Sequence, residues 1–404
     1  MRSIVISAVA SAALMAGGYA IPESSINATA LSAAYIANAH GADAAYYNPA
    51  AMVYNEDANL LEVDATYIGL SKIHYASTNG TYNIDSESEK FLVPSIHYTS
   101  KKLGDNNARV GFSITAPAGL SKRWTSVPAV YSAEEFTLQA VEFNPSIAIP
   151  LSDTMSMGVG FRMISSSGVV KAKRVGVYSQ NMTGNSIDYG YNLALNYRPV
   201  SNLSLAATYR SKVNLSVEGD ADLSHTGGLI PGDPLPTFNG NYGASVSIPI
   251  PATLNLAAAY TFDTATTIEA VYERTYWSAY KTLNFDFSHP YAEGFFGAVK
   301  PKNWQDTNSY RLGLTQKYDK WTAMAGVAYD KTPVPESTLG YELPDSDAWI
   351  VSMGGRYQID KSWNIGLAGL VDMKKNREVH NSAINGEFSN ARAYLVTAGI
   401  EYRF

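Results

Sequence analysis

The sequence contains no cysteine, so neither disulfides nor thiolate-bound metal can hold its fold. It is short of charge. Only 16% of its 404 residues are Asp, Glu, Lys or Arg, where about a quarter is usual in soluble proteins. The formal net charge is −6 and no long basic run is present, which argues against nucleic acid as a partner. Although 46% of residues are hydrophobic, nothing beyond the N-terminus reaches the ~18-residue apolar run of a membrane-spanning helix. Catalytic signatures are lacking too. The six His, at 40, 74, 97, 225, 289 and 380, have no metal-ligand spacing. There is no G-x-S-x-G, no phosphate loop and no H-E-x-x-H. Gly158-Val159-Gly160 lies inside a strand pattern, without the helix that a dinucleotide site needs. Neither enzymatic activity nor a metal or other cofactor is expected. A lipid hydrolase would need a Ser/His/acid set on outward strand positions, and none is visible.

What is present points to strands. There are 28 Tyr and 31 Gly, residues that suit strands and tight turns better than helices. Residues 186–198 alternate: Ile187, Tyr189, Tyr191, Leu193, Leu195 and Tyr197 share one parity, and Asp188, Asn192, Asn196 and Arg198 the other. Residues 203–218 repeat the pattern. Period two marks a strand with one apolar and one polar face. These runs exceed the typical strand of about 5–6 residues. A soluble sandwich would turn the apolar face inward, and an outer-membrane barrel would turn it to lipid.

Three features favour the barrel. Met1-Arg2, the apolar run 4–16 and the small residues Gly17, Gly18 and Ala20 predict a secretory signal peptide. It spans 1–16, or 1–20 if cleavage follows Ala20. The chain closes on an amphipathic strand, 394–404, that ends in Phe404. Short polar links alternate with longer segments at 77–88, 118–135, 172–184, 219–240, 288–306, 332–346 and 376–390, as turns and loops do on the two sides of a transmembrane barrel. Alternation predicts strands over 59–76, 89–101, 107–117, 136–150, 154–171, 185–198, 203–218, 242–262, 266–287, 307–318, 321–332, 347–359, 362–375 and 391–404. The fold class is therefore all-β: a transmembrane antiparallel β-barrel of about 14 strands.

Two stretches do not fit a regular wall. Pro94, Pro117, Pro145, Pro249 and Pro251 fall inside predicted strands, where proline cannot donate to the ladder. Pro117-Ala118-Gly119 is the strongest breaker. It is either a strand end or bulge, or a deliberate interruption that lets an apolar solute leave sideways. Residues 39–55, AHGADAAYYNPAAMVYN, do not alternate at all. They are a linker or, with the rest of 17–57, a plug inside the lumen.

Several short motifs carry a resemblance. They are GYAIPES (18–24), GADAAYYNPAAM (41–52), APAGLSKRW (116–124), YWSAY (276–280), NWQDT (303–307), YDKTPVPE (329–336) and LPDSDAW (343–349). In this order and spacing the chain resembles the FadL/TodX family of outer-membrane transporters of long-chain fatty acids and other hydrophobic compounds. The resemblance covers essentially the whole mature chain. It implies a barrel over 58–404 plugged by an N-terminal hatch over 17–57. It also implies passive uptake through an apolar pocket, with hatch rearrangement and lateral exit into the bilayer. It assigns Asn48, Pro49 and Ala50 to the hatch motif, Tyr19 to the N-terminal aromatic, and Pro117 with Gly119 to the kink beside the lateral opening. The implied partners are a hydrophobic small molecule, outer-membrane lipid and lipopolysaccharide, and the barrel-assembly machinery, with the protein a monomer. Two departures stand out. Ala348 occupies a position where the family often has Arg, and Tyr19 one where Phe is common. Lys171, Lys173 and Arg174 cluster at a loop mouth. They are candidates for an anionic head group, or for lipopolysaccharide phosphate and solubility. A porin for small polar solutes and an adhesive surface protein are the competing readings.

Overall fold

The computed structural model describes residues 17–404 apart from residue 231, so the expected signal peptide, 1–16, lies outside the described residues. Fourteen strands run up and down in chain order. They are β1 (Leu60–Leu70), β2 (Glu89–Thr99), β3 (Arg109–Arg123), β4 (Glu135–Pro150), β5 (Met155–Arg174) and β6 (Tyr178–Val200). Next come β7 (Leu203–Arg210 and Val213–His225), β8 (Phe238–Ile250 and Thr253–Thr261) and β9 (Thr266–Thr275 and Phe285–Phe287). The last five are β10 (Thr307–Lys317), β11 (Trp321–Asp330), β12 (Ala348–Gln358), β13 (Trp363–Lys374) and β14 (Arg392–Arg403). Successive strands pair antiparallel, and β1 also pairs with β14, from Leu60 opposite Arg403 to Leu70 opposite Ala393. The sheet is therefore closed, and closure satisfies backbone groups that water cannot reach in a bilayer.

Side-chain exposure separates the two settings that alternation left open. On β6, Ile187, Tyr189, Tyr191, Leu193 and Leu195 are exposed while Asn192 and Asn196 are buried. On β1, Glu62 and Asp64 are buried and Val63 is exposed. The distribution is inside-out for a protein in water. It is what a barrel in lipid requires. At the end with short turns, rings gather into a girdle: Trp321 lies 4.5 Å from Tyr357 and Trp363 4.3 Å from Tyr402. Such rings sit where lipid meets water. At the other end the long connections fold over the lumen. Short strands at His74–Ser77, Asn83–Asp85, Arg377–His380 and Asn385–Ser389 form a separate sheet there.

Every expected strand is present, but with shifted ends: the first stops at Leu70 rather than 76, the ninth leaves the wall between Thr275 and Phe285, and others run longer. The third was expected to stop at Pro117, yet β3 continues to Arg123. It does so through a register shift against β4 between Thr115 and Ala118. Among the described residues, β2 and β3 pair only between Ile96–Thr99 and Gly111–Ile114. From there to the bridge of Ser86 with Trp124, β3 has no β2 partner, so the missing N–H of Pro117 forfeits no bond to β2. Two other prolines also mark irregularities, the β4–β5 register skipping Asn144 and Pro145 and β8 being split at Pro251-Ala252, while Pro94 and Pro249 sit within continuous pairing.

Residues 17–57 supply no strand to the wall. They form α1 (Ile26–Ala30), α2 (Ala44–Tyr47) and a 3-10 turn, Pro49–Tyr54. Ser25 caps α1 by accepting from the Ala28 N–H at 3.2 Å. The segment is almost wholly buried. It bonds to Ser156 on β5, Asn196 on β6, Ser204 on β7, Glu269 on β9, Ser352 on β12 and Thr397 on β14. One segment can meet strands around the whole ring only from inside it. The lumen is plugged.

Candidate functional site

The plug begins as an extended strap. The carbonyl of Tyr19 accepts from Gly119 N at 3.0 Å, and Ile21 N donates to the carbonyl of Pro117 at 3.1 Å. Ala20 and Ala118 form the bridge between them. The strap thus occupies the side of β3 that β2 leaves unpaired. Tyr19, Pro117 and Gly119, far apart in sequence, meet at one break in the wall.

Motifs from distant loops converge on the same strap. The Tyr19 ring lies 4.8 Å from Trp277, 5.6 Å from Trp304 and 6.3 Å from Tyr280. Its hydroxyl donates to the carbonyl of Pro249, so the group that Phe would lack is satisfied. Gly18 N donates to Asp345 Oδ2 at 3.0 Å. Gly18 has φ +83, and a Cβ there would meet Trp277 at 2.7 Å, so both backbone and space require glycine. Asp345 also accepts from Thr332 at 2.6 Å and pairs with Lys374 at 2.7 Å. With Ala at 348, Arg377 ties this corner, donating to the carbonyls of Asp345 and Val334 at 2.6 Å each.

Asn48, Pro49 and Ala50 dock on the opposite wall. Asn48 Nδ2 donates to the Ile36 carbonyl at 2.8 Å and to Asn196 Oδ1 at 2.9 Å, while its Oδ1 is buried without a partner. Pro49 starts the 3-10 turn, where a fixed φ and a missing N–H are no handicap. The Ala50 carbonyl accepts from Ser156 Oγ at 2.8 Å. A Cβ on Gly158 would come within 2.5 Å of Ala50 N, so glycine permits this approach. The two regions are joined: Tyr47 OH donates to the Pro22 carbonyl and accepts from Ser24 N, at 2.9 and 2.8 Å.

Buried charges hold the plug. Glu269 accepts from Ile36 N and Ala37 N at 2.7 and 2.6 Å. Arg356 pairs with Glu62 at 2.7 Å and donates to Asn27 Oδ1 at 2.7 Å. Asp43 accepts from Ser25, Asn27 and Tyr35. Burial, and then the nearby Glu62 charge, raises the Asp43 carboxyl well above the usual range. Glu23 lies 4.0 Å from Arg311. Burial outweighs that arginine, and Asp330 and Asp372 add to it, so its carboxyl is pushed up to about 8. Burial and the Lys317 charge push His40 down to about 4.

Three cavities follow one another past the strap. The first, about 40 Å³, is walled by apolar groups such as Phe136, Leu138, Met182 and Phe285. The second, about 20 Å³, shares Phe136, Leu138 and Ile248 and adds Tyr19, Trp304, Lys302 and Glu342. The third, about 100 Å³, lies beside Ala20, Ile21 and Pro117 and reaches Arg162 and Arg210. A larger polar pocket of about 330 Å³ opens at the short-turn end around Lys317, Asp360 and Glu401. Its wall is dominated by polar and charged side chains, unlike that of the first. Lys171 and Lys173 pair with Glu135 and Glu134, and Arg174 lies 5.7 Å over the Tyr131 ring. None of the three lines these cavities. Sequence reasoning missed the pairing of Lys302, Arg162 and Arg210 with acids. Arg162 and Arg210 lie on strands, where parity gives a face but no partner, and Lys302 lies in a long connection without parity.

A family model described as "Outer membrane protein transport protein (OMPP1/FadL/TodX)" matches residues 6–404. The chain belongs to this family. It is a transport protein of the bacterial outer membrane, not an enzyme. It therefore sits among outer-membrane lipid and lipopolysaccharide and is assembled there as a barrel. A long-chain fatty acid transport protein of Salmonella typhi is 25% identical over 353 residues, 80% of this chain and 79% of that one. One from Escherichia coli is 24% identical over 371 residues, 82% of this chain and 81% of that one. Among solved structures, a Pseudomonas aeruginosa FadL homologue matches with a TM-score of 0.82 at 19% identity, covering 95% of this chain and 99% of that chain. The P. putida toluene transporter TodX matches with 0.72 at 18% identity, covering 94% and 97%. These likenesses show the fold.

Proposed function

We propose that the protein takes up hydrophobic compounds passively and releases them sideways into the outer membrane. The observation that carries this reading is the strap of residues 19–21 filling the break between β2 and β3, beside a run of cavities whose first chamber is apolar. An apolar solute gains ~0.8 kcal/mol for each CH₂ it buries, so it favours a dry chamber over a wet pore. From that chamber it reaches Tyr19. Displacing the strap frees the Gly119 N–H and the Pro117 carbonyl and opens a slot in the wall. The solute then enters the bilayer without crossing water.

In this mechanism residues 17–57 are the hatch and residues 58–404 the barrel. Tyr19 is the latch, Pro117 and Gly119 the jamb, and Asn48, Pro49 and Ala50 the anchor that returns the hatch to its seat. Lys171, Lys173 and Arg174 face lipopolysaccharide phosphate at the outer rim. The relatives named as fatty acid and toluene transporters are consistent with an apolar cargo. Uptake of labelled hydrocarbons by a strain lacking this protein, with and without its restoration, tests the reading. Restored uptake of at least one apolar solute is expected. Unchanged uptake of all of them, with steady ion conductance in planar bilayers, would make it a polar-solute porin instead.

A further inference from the structure

The cavities hold cations, and each cation is already occupied. Lys302 lines the second cavity, is 8% exposed in its side chain, and is paired with Glu342 in the same wall. Burial raises the Glu342 carboxyl, yet Lys302 holds it below the usual carboxylate range. In the third cavity, Arg162 Nε reaches both oxygens of Glu142 at 3.1 Å, Nη2 reaches one at 2.9 Å, and Nη1 donates to the Ser211 carbonyl at 2.6 Å. Arg210 pairs with the other oxygen of Glu142 and lies 4.3 Å over the Tyr46 ring. Glu273 lines that cavity as well and faces Arg311 at 3.5 Å. The first cavity has no charged residue in its wall. Lys300 is exposed and lines none of the three.

We infer that this transporter selects uncharged apolar solutes over carboxylates of the same skeleton, because Lys302 is committed to Glu342 and Arg162 with Arg210 to Glu142. The inference rests on the uptake function proposed above and names its substrate class. A carboxylate entering the track leaves water and finds no unpaired donor of opposite charge. It must break a buried ion pair or stay uncompensated, and both are unfavourable. A hydrocarbon disturbs neither pair. Glu342 acts here as a specificity residue: it cancels a cation that would otherwise receive an anionic head.

Matched pairs test this in lipid nanodiscs holding the intact barrel, read by the intrinsic fluorescence of the tryptophans around Tyr19. The probes are toluene against benzoate and decane against decanoate, at about pH 8, where the acids are ionised. The hydrocarbon of each pair should bind at least about tenfold more tightly. Glu342→Gln should free Lys302 and raise the affinity for each carboxylate, relative to that of its matched hydrocarbon, about tenfold. Equal binding of both members by the unaltered protein overturns the inference and leaves the uptake function standing. A folded Glu342→Gln barrel with no gain for carboxylates overturns the role of Lys302. Binding of neither member removes the uptake function, and the inference with it.

Discussion

Tyr19 carries two separable interactions. Its ring packs on Trp277 and Trp304, and its hydroxyl bonds to Pro249. Tyr19→Phe keeps the ring and loses a bond worth about 1 kcal/mol. Transport should stay within about twofold of the unaltered rate. Tyr19→Ala removes a large buried ring, which destabilises its site by about 3–5 kcal/mol. The strap should then be released, changing uptake while heat-modifiable migration on gels still reports a folded barrel. Glu23 gives a pH prediction. Its carboxyl titrates near 4.5 when free and near 8 when docked. The docked strap therefore binds the extra proton, so docking weakens as pH rises between these values and levels off above about 8. Arg311, Asp330 and Asp372 face this group and set the residual charge. Glu23→Gln should flatten the pH dependence of strap release, measured by labelling a cysteine at position 20. An equally steep profile in that variant would rule out Glu23 as its source.

At the scale of elements, the wall and the plug differ in how far they could be read. Every barrel strand was legible over most of its length because lipid on one side and polar groups on the other impose period two, but the end of β3 was not, since residues 115–122 are buried without alternation. Pro117 was legible as a breaker because only proline lacks the donor. What fills the break was not, since Tyr19, Ala20 and Ile21 have no periodicity and their partners lie about a hundred residues away. The ion pairs were hidden too: parity gives the face of Arg162 but not its Glu142 partner on the adjacent strand, and Lys302 and Glu342 lie in long connections that carry no parity. Asn48 and Gly158 link the two elements. Asn48→Ala removes two buried donor contacts, each worth about 1 kcal/mol. Gly158→Val puts a side chain where Ala50 N lies 2.5 Å from a Cβ. Both variants should assemble as barrels but alter uptake, and each should make the plug more accessible to protease. A normal transport rate in both would reduce residues 48–50 to a passive link.

The whole molecule is a closed wall whose β2–β3 break is filled from inside by the chain's own N-terminal segment. Its lipid-facing wall is apolar, its interior carries buried ion pairs, and an apolar chamber adjoins the one that Tyr19 lines. These features together make a lateral route for apolar cargo more favourable than an axial aqueous one. The absence of cysteine provides a direct test. Ala20 and Ala118 are bridge partners, so Ala20→Cys with Ala118→Cys should form a disulfide that staples the strap to β3. Uptake of a labelled apolar solute by cells carrying this pair should cease on oxidation and return on reduction, with either single variant unaffected. Uptake that continues at full rate with the staple formed would contradict lateral release through this break.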